Sequence, residues 1–214
     1  MAGTIKITGR CELSRKPDGM ELSLRLFGNS EDYGEALSKA VEGADEVKEA
    51  VVSCGVAAEK LKTADFGVHP RYESFRDENG NYSQRFVGYE YNESLTLRLP
   101  RDNELLGRLL EKVAALSAKP EFSLSFFLLD PESAKNELIA GAVTDSRKKA
   151  QVLCEAAGVR LGELLNIDYS WESAEIVVRS VNRMAFASEK MADMAMEPED
   201  VRLSDSVTVT WEIG

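Results

Sequence analysis

Residues 61–99, LKTADFGVHPRYESFRDENGNYSQRFVGYEYNESLTLRL, hold the pattern on which the fold turns. From Lys60 to Phe75, the residues Phe66, Val68 and Tyr72 share one side while Asp65, His69 and Arg71 share the other, a strand-like alternation. The return run, Arg85 to Leu99, sets Val87, Tyr89, Tyr91, Leu95, Leu97 and Leu99 on one face, interrupted only by Glu93. Between the runs, Asp77-Glu78-Asn79-Gly80-Asn81 is a turn by composition. Two strands of about fourteen residues span roughly 45 Å at about 3.3 Å per residue, and typical strands are less than half that length. Such a hairpin either runs through both halves of the molecule as a shared spine or projects as an arm. Phe75, Tyr82 and Phe86 would then expose apolar surface of the kind that marks association sites.

Outward from the hairpin, the N-terminal run alternates Ile5, Ile7, Cys11 and Leu13 with Lys6, Thr8, Arg10 and Glu12. After SRKPDG, Leu22, Leu24 and Leu26 alternate in the same way, which reads as an antiparallel hairpin with one wet face. A helix follows, capped near Ser30, with Tyr33, Leu37, Ala40, Ala44, Val47 and Val51 inward. Beyond the long hairpin, a helix from about Asp102 to Ala118 turns Leu105, Leu106, Leu109, Leu110, Val113 and Leu116 inward. Residues Glu121 to Leu129 read as a deeply buried strand. Asp130-Pro131 opens the longest helix, and Gly158 ends it. Its inward stripe, Ala134, Leu138, Ala142, Ser146, Ala150, Leu153 and Ala157, is mostly small, which lets a helix lie close to its sheet. Strands are expected at about 159–170 and 174–181, then a polar, Met-rich segment to about Asp200. A last strand alternates Val207, Val209, Trp211 and Ile213 with Thr208, Thr210 and Glu212. The sum is an α+β fold of mixed, largely antiparallel sheets, with three main helices and a long central hairpin. It reads as one domain, or as two subdomains (about 1–75 and 86–214) joined by the 61–99 hairpin.

Composition limits the function classes. A net charge of −11 over 214 residues argues against nucleic acid and against anionic membrane surfaces, since both demand clustered Lys and Arg. The three cysteines, Cys11, Cys54 and Cys154, lack C-x-x-C spacing and read as small buried thiols. No basic stretch followed by an apolar one opens the chain, and no run of eighteen apolar residues occurs. These features give the expectation of a soluble, cytoplasmic protein.

Four blocks resemble the SIMPL-domain (YggE-like) family, which includes periplasmic immunogenic proteins. They are Ile7-Thr8-Gly9-Arg10 with Pro17-Asp18; Leu61-Lys62-Thr63 with Val68-His69-Pro70-Arg71-Tyr72; Phe86-Val87-Gly88-Tyr89; and Ala142 with Ser146-Arg147-Lys148-Lys149-Ala150 and Gly158-Val159-Arg160-Leu161-Gly162. The resemblance implies an α+β fold, a tendency toward homo-oligomers, and roles loosely tied to envelope stress, antigenicity or signalling. It implies no catalytic residues.

Reaction chemistry finds little support in the residues themselves. A single histidine, His69, and the lack of a G-x-S-x-G elbow leave no Ser-His-Asp constellation. Zinc-ligand spacing and phosphate-cradling glycine loops are missing. Asp77-x-Asn79-x-Asn81 mimics the start of a calcium loop, but Tyr82 and Gly88 stand at its sixth and twelfth positions. Met184, Met191, Met194 and Met196 form one unusual cluster; thioethers can take Cu(I), and the plainer reading is a Met stripe packed on the body or a neighbour. Glu93, alone on an apolar face, is expected to be buried with a raised pKa, or to sit where the hairpin leaves the core. Arg147, Lys148 and Lys149 read as the wet side of the long helix.

The expectation is a non-enzymatic, homo-oligomeric assembly or protein-interaction module without cofactor or metal. Its contact residues would be Phe75, Tyr82, Phe86, Tyr72, Tyr89, Tyr91, Met184, Met191 and Met194. The alternatives are a small-molecule binding module with an apolar pocket between helix and sheet, lined by Tyr72, Tyr89 and Tyr91, and an enzyme of unrecognised type.

Overall fold

The computed structural model describes residues 3–76, 80–170, 175–177 and 197–214. Asp77 to Asn79, and with them most of the expected turn, lie outside the described residues, as do Met184, Met191, Met194 and Met196.

Eight strands and three helices are described: β1 (Gly3–Arg15), β2 (Gly19–Ser30), α1 (Tyr33–Ser53), β3 (Leu61–Arg76), β4 (Tyr82–Pro100), α2 (Asn103–Ala114), β5 (Glu121–Phe127), α3 (Pro131–Ala157), β6 (Leu161–Asp168), β7 (Glu175–Val177) and β8 (Val201–Ile213). They form two antiparallel sheets. One runs β1-β8-β6, with β7 also pairing with β8; the other runs β3-β4-β2-β5. The fold is α+β, as the patterning predicts.

The expected hairpin between β1 and β2 does not form. Instead, β1 pairs with β8 along its whole length, from Gly3↔Ile213 to Arg15↔Val201, and β2 pairs with β4. Both strands have one apolar face, so alternation alone cannot choose their partners. Compact packing accordingly divides the chain after Asp18 and after Phe126, with Gly19–Phe126 in one unit. The long hairpin lies entirely within that unit, so it is not a spine shared by both. The units are described separately.

In the unit of residues 19–126, Met20, Leu22, Leu24 and Leu26 of β2 and Leu95, Leu97 and Leu99 of β4 face Val47 and Val51 of α1 and Leu106, Leu109 and Val113 of α2. Each such side chain, fully buried, stabilises by about 1.5–3 kcal/mol. The helix starts are made by aspartates. Asp32, rather than Ser30, caps α1 by accepting from Glu35 N–H at 2.9 Å, while the Ser30 hydroxyl donates to the Glu35 carboxylate. Asp102 accepts from Glu104 and Leu105 N–H at 2.9 and 3.0 Å and caps α2. The buried stripe of α1 is Ala36, Ala40, Gly43, Val47, Ala50 and Val51; Tyr33 and Leu37 are exposed, unlike the expectation. β5 is an edge strand, burying Leu124 and Phe126 but leaving its other face less covered, so it is not the doubly buried strand expected.

In the other unit, α3 lies along the sheet of β1 and β8. Its buried stripe is Ala134, Leu138, Ala142, Ser146, Ala150 and Cys154. The last turn departs from expectation, with Leu153 exposed and Cys154 inward. The approach to β1 is very close: a Cβ on Gly9 would lie 2.0 Å from the Ala142 carbonyl oxygen and 2.5 Å from Ser146 N. Val207, Val209 and Trp211 of β8 complete this core. Asp205, buried in β8, is satisfied by the Tyr169 hydroxyl at 2.8 Å and the Ser206 N–H at 2.7 Å. All three cysteines are free, Cys54 and Cys154 buried and Cys11 half-buried.

Candidate functional site

The pairing of β2 with β4 stops at Ser30↔Tyr89, while β3 and β4 remain paired to Arg76↔Tyr82. Residues 71–76 and 82–88 therefore form a two-stranded ribbon that runs roughly 20 Å past the end of β2. The change is marked by a bulge: Arg71 pairs with Gly88, yet Tyr72 pairs with Phe86. Gly88 has φ +122°, and a Cβ there would sit 2.4 Å from the Ser30 carbonyl oxygen, so only glycine suits the position. Such a bulge turns the β4 side chains on its tip side, those before Val87, to the opposite face relative to the rest of the strand. Phe86, rather than the expected Val87, thereby joins Tyr89.

The result is a ladder of edge-to-face rings. Tyr33, at the start of α1, meets Tyr89 at 5.3 Å between ring centres and 84° between planes. Tyr89 meets Phe86 at 5.2 Å and 74°, and Phe86 meets Tyr72 at 5.9 Å and 70°. Each such pair contributes about 0.5–1.5 kcal/mol beyond burial. An isolated two-stranded ribbon is only marginally stable in water, so the ladder fastens it to α1. Toward the tip, the Arg76 guanidinium lies 5.0 Å over the Tyr82 ring. On the opposite face, Glu73 pairs with Arg71 at 3.2 Å and with Arg85 at 3.7 Å. The ribbon keeps much aromatic surface in solvent: Tyr82 is 76% exposed, Tyr72 56%, Phe86 49% and Phe75 43%.

Of the residues expected at a contact site, Tyr72, Phe86 and Tyr82 share one face of the ribbon with Tyr89 at its root, while Phe75 lies on the other face with Glu73. Tyr91 goes elsewhere, half-buried against Gly28, where burial raises its pKa and the Lys39 ammonium opposes the rise. Tyr33 was missed because its helical spacing places it in the inward stripe. Its signal is an aromatic residue in the first turn of a helix.

A polar cavity of about 420 Å³ lies in the same unit, lined by Arg25, Phe27, Asn29, Arg71, Glu90, Tyr91, Asn92 and Glu121 among others. Arg25, Phe27 and Asn29 alternate with the buried Leu24 and Leu26, so the cavity opens on the sheet face turned away from the helices. That is not the apolar pocket expected between helix and sheet, and of the three tyrosines expected to line it only Tyr91 does. Nearby, Asn92 donates to Asp65 at 2.9 Å, and the exposed His69 imidazole folds over Gly67, which has no side chain to displace it.

Glu93 is buried, at 6% exposure, on the helix-facing side. Burial raises its pKa and the Asp45 carboxylate adds to the rise, while a 3.4 Å bond from the Thr63 hydroxyl opposes it. Among the described residues, no group of three or more His, Cys, Asp or Glu side chains could hold a metal ion. Among the same residues, no helix is long and apolar enough to cross a membrane.

Comparison with known proteins gives a consistent picture. The family model SIMPL, described as a protein of unknown function (DUF541), matches residues 5–211. The 26 kDa periplasmic immunogenic proteins of Brucella melitensis biotype 1 and Brucella abortus strain S19 are each 28% identical to this chain over 163 residues, 76% of the chain. The matched stretch spans 65% of the length of those relatives. A crystal structure of a hydrolase from Listeria innocua aligns over 96% of this chain and 92% of its own, at 14% identity and a TM-score of 0.23, which carries no argument.

Proposed function

The chain belongs to the SIMPL family, a family of unknown function, and from that premise we propose that it is a non-enzymatic protein that assembles with copies of itself through the β3–β4 ribbon. One observation carries the reading: four aromatic side chains stand 43–76% exposed on a ribbon that leaves the sheet. Exposed apolar surface on so protruding an element favours association. β3 is also an edge strand, so two copies can pair edge to edge about a two-fold axis while their aromatic faces meet. The relatives are periplasmic by name, which points away from the cytoplasmic location expected from the N-terminal residues. Ribbon pairing needs no disulfide and suits either compartment.

The test is absolute mass by light scattering behind a sizing column, with a Phe75→Ser/Tyr82→Ser variant beside the wild type. Neither ring belongs to the Tyr33–Tyr89–Phe86–Tyr72 ladder, so the variant should keep its fold. The reading expects a closed oligomer that the variant dissociates. A monodisperse wild-type monomer refutes it. A second reading, a binding module for small charged molecules, draws on the cavity flanked by Arg25, Arg71, Glu90 and Glu121. A ligand retained in native mass spectra of monomeric protein would favour it.

A further inference from the structure

A separate surface lies along β1, in the unit that does not contain the ribbon. β1 ends its sheet, paired with β8 on one side and with no other strand among the described residues. In an antiparallel ladder the N–H and C=O of a residue point the same way, and alternate residues share that direction. The β1–β8 register is unbroken from Gly3 to Arg15, so one bond fixes the direction for the whole strand. The Arg10 N–H donates to Asp145 of α3 at 2.8 Å and thus points away from β8. Lys6 and Thr8 turn their N–H and C=O groups to the same free edge. Asp145, held by Lys149 at 2.7 Å, blocks that edge at Arg10, as charged side chains commonly do on exposed strands.

Nearer the N-terminus of β1 the same edge borders a groove of about 550 Å³, walled by Lys6, Ile7, Thr8, Lys148, Lys149, Val152 and Leu153. Val152 is 65% exposed and Leu153 49%. Among the described residues an unpaired strand edge thus runs beside apolar helix side chains, and Lys6 and Lys148 rim it, with Lys149 already held by Asp145, on a chain whose net charge is −11.

We propose that this groove receives an extended acidic segment of a partner protein, added as a short antiparallel or parallel strand along residues 4–8. Main-chain bonds to Lys6 and Thr8 supply affinity in such strand addition, and alternate side chains supply specificity. Guest side chains turned toward α3 are apolar and meet Val152 and Leu153. Acidic side chains turned the other way meet Lys6, and Lys148 on α3 adds positive potential at the rim. Asp145 ends the guest strand at Arg10.

The probe is a fluorescein-labelled, end-blocked octapeptide of alternating valine and glutamate, followed by fluorescence anisotropy against the full chain. The comparison peptide alternates valine and lysine. Proline is tolerated at an edge position whose N–H faces outward, so Lys6→Pro removes a guest bond and leaves the β8 ladder paired. Glu12→Pro, on the same edge beyond Asp145, controls for proline itself. The wild type should bind the glutamate peptide and not the lysine one. Lys6→Pro and Val152→Glu should each weaken binding about tenfold, the loss of one or two net hydrogen bonds or a comparable contact, and Glu12→Pro should not. Equal binding of the lysine peptide, no binding by the wild type, or wild-type affinity in a folded Lys6→Pro protein would each overturn the proposal. So would a wild-type dimer that Lys6→Pro dissociates, since that assigns the groove to a second copy.

Discussion

Gly9→Ala tests the contact that brings α3 against β1. The added Cβ would lie 2.0 Å from the Ala142 carbonyl oxygen, 2.5 Å from Ser146 N and 2.8 Å from Ser146 Cβ. A comfortable contact is about 3.5 Å, so the helix must withdraw by about 1.5 Å. A radial gap of about 0.5–1 Å already forfeits a quarter to a half of each dispersion contact. Ala142, Ser146 and Ala150, all at 0% exposure, would lose contact together. Forcing extra atoms into a packed core costs about 1–3 kcal/mol when side chains can yield. Here the obstacle is backbone, so about 3 kcal/mol is the lower expectation. For a chain of this size each kcal/mol lowers the unfolding midpoint by about 2–4 °C, which gives a fall of about 6–12 °C. Gly141→Ala is the matched control: its Cβ would meet Cys11 Sγ at 2.4 Å, which can rotate away, and Cys11 Cβ at 3.0 Å, which needs only a few tenths of an ångström of give; it should cost about 1 kcal/mol. Scanning calorimetry of both variants and the wild type measures the difference. A Gly9→Ala midpoint within about 2 °C of wild type, or a Gly141→Ala protein equally damaged, would refute the packing argument.

Other expectations follow from single groups. Glu93 has its pKa raised in the native chain by burial, so its contribution is full below the unfolded value of about 4.3 and is lost as pH rises through the native one. Glu93→Gln should therefore match wild type near pH 4 and exceed it in urea midpoint at pH 7; parallel pH profiles would contradict this. Asp145 is shifted the other way, held low by Lys149 and then by the Arg10 N–H. Its contribution is present above the unfolded value and is lost as pH falls through the native one, so Asp145→Asn should flatten the acid limb of the stability curve. Asp102→Ala removes the α2 cap and should cost about 1 kcal/mol in chemical denaturation, with no change in oligomer size. The Trp211 indole N–H is buried without a hydrogen-bond partner among the described residues. Trp211→Phe relieves that unpaired donor, and its midpoint should fall less than that of Trp211→Ala.

The α+β class and the element order were legible because alternation and helical spacing are local properties. Asp130-Pro131 and Gly158 bracketed α3 through chain stiffness and the left-handed cap, which act within a few residues. Strand partnership was not legible. Ile5, Ile7, Leu22 and Leu24 carry the same one-faced pattern, and nothing in it says that β1 seeks residues near position 210 and β2 seeks β4. The ribbon aromatics were visible as a cluster, yet the face that Tyr72 and Phe86 share with Tyr89 depends on the bulge beside Gly88, an insertion that strict alternation does not anticipate. Likewise the groove beside β1 needs the direction of one N–H, which only its bond to Asp145 reveals.

The union of Gly3 with Ile213 has a consequence for how the molecule comes into being. Strand β8 is the centre of its sheet, yet it is made after every other described element. Residues 19–126 are contiguous, and the contacts within them close short loops, so that unit can fold while synthesis continues. β1 is made first and must wait for β8, and closing a loop of that length adds an entropic cost and slows folding by raising contact order. A newborn chain therefore holds a finished half beside a waiting edge strand, and losing the final thirteen or so residues would strand β1, β6 and β7 together while sparing the sheet that carries the ribbon.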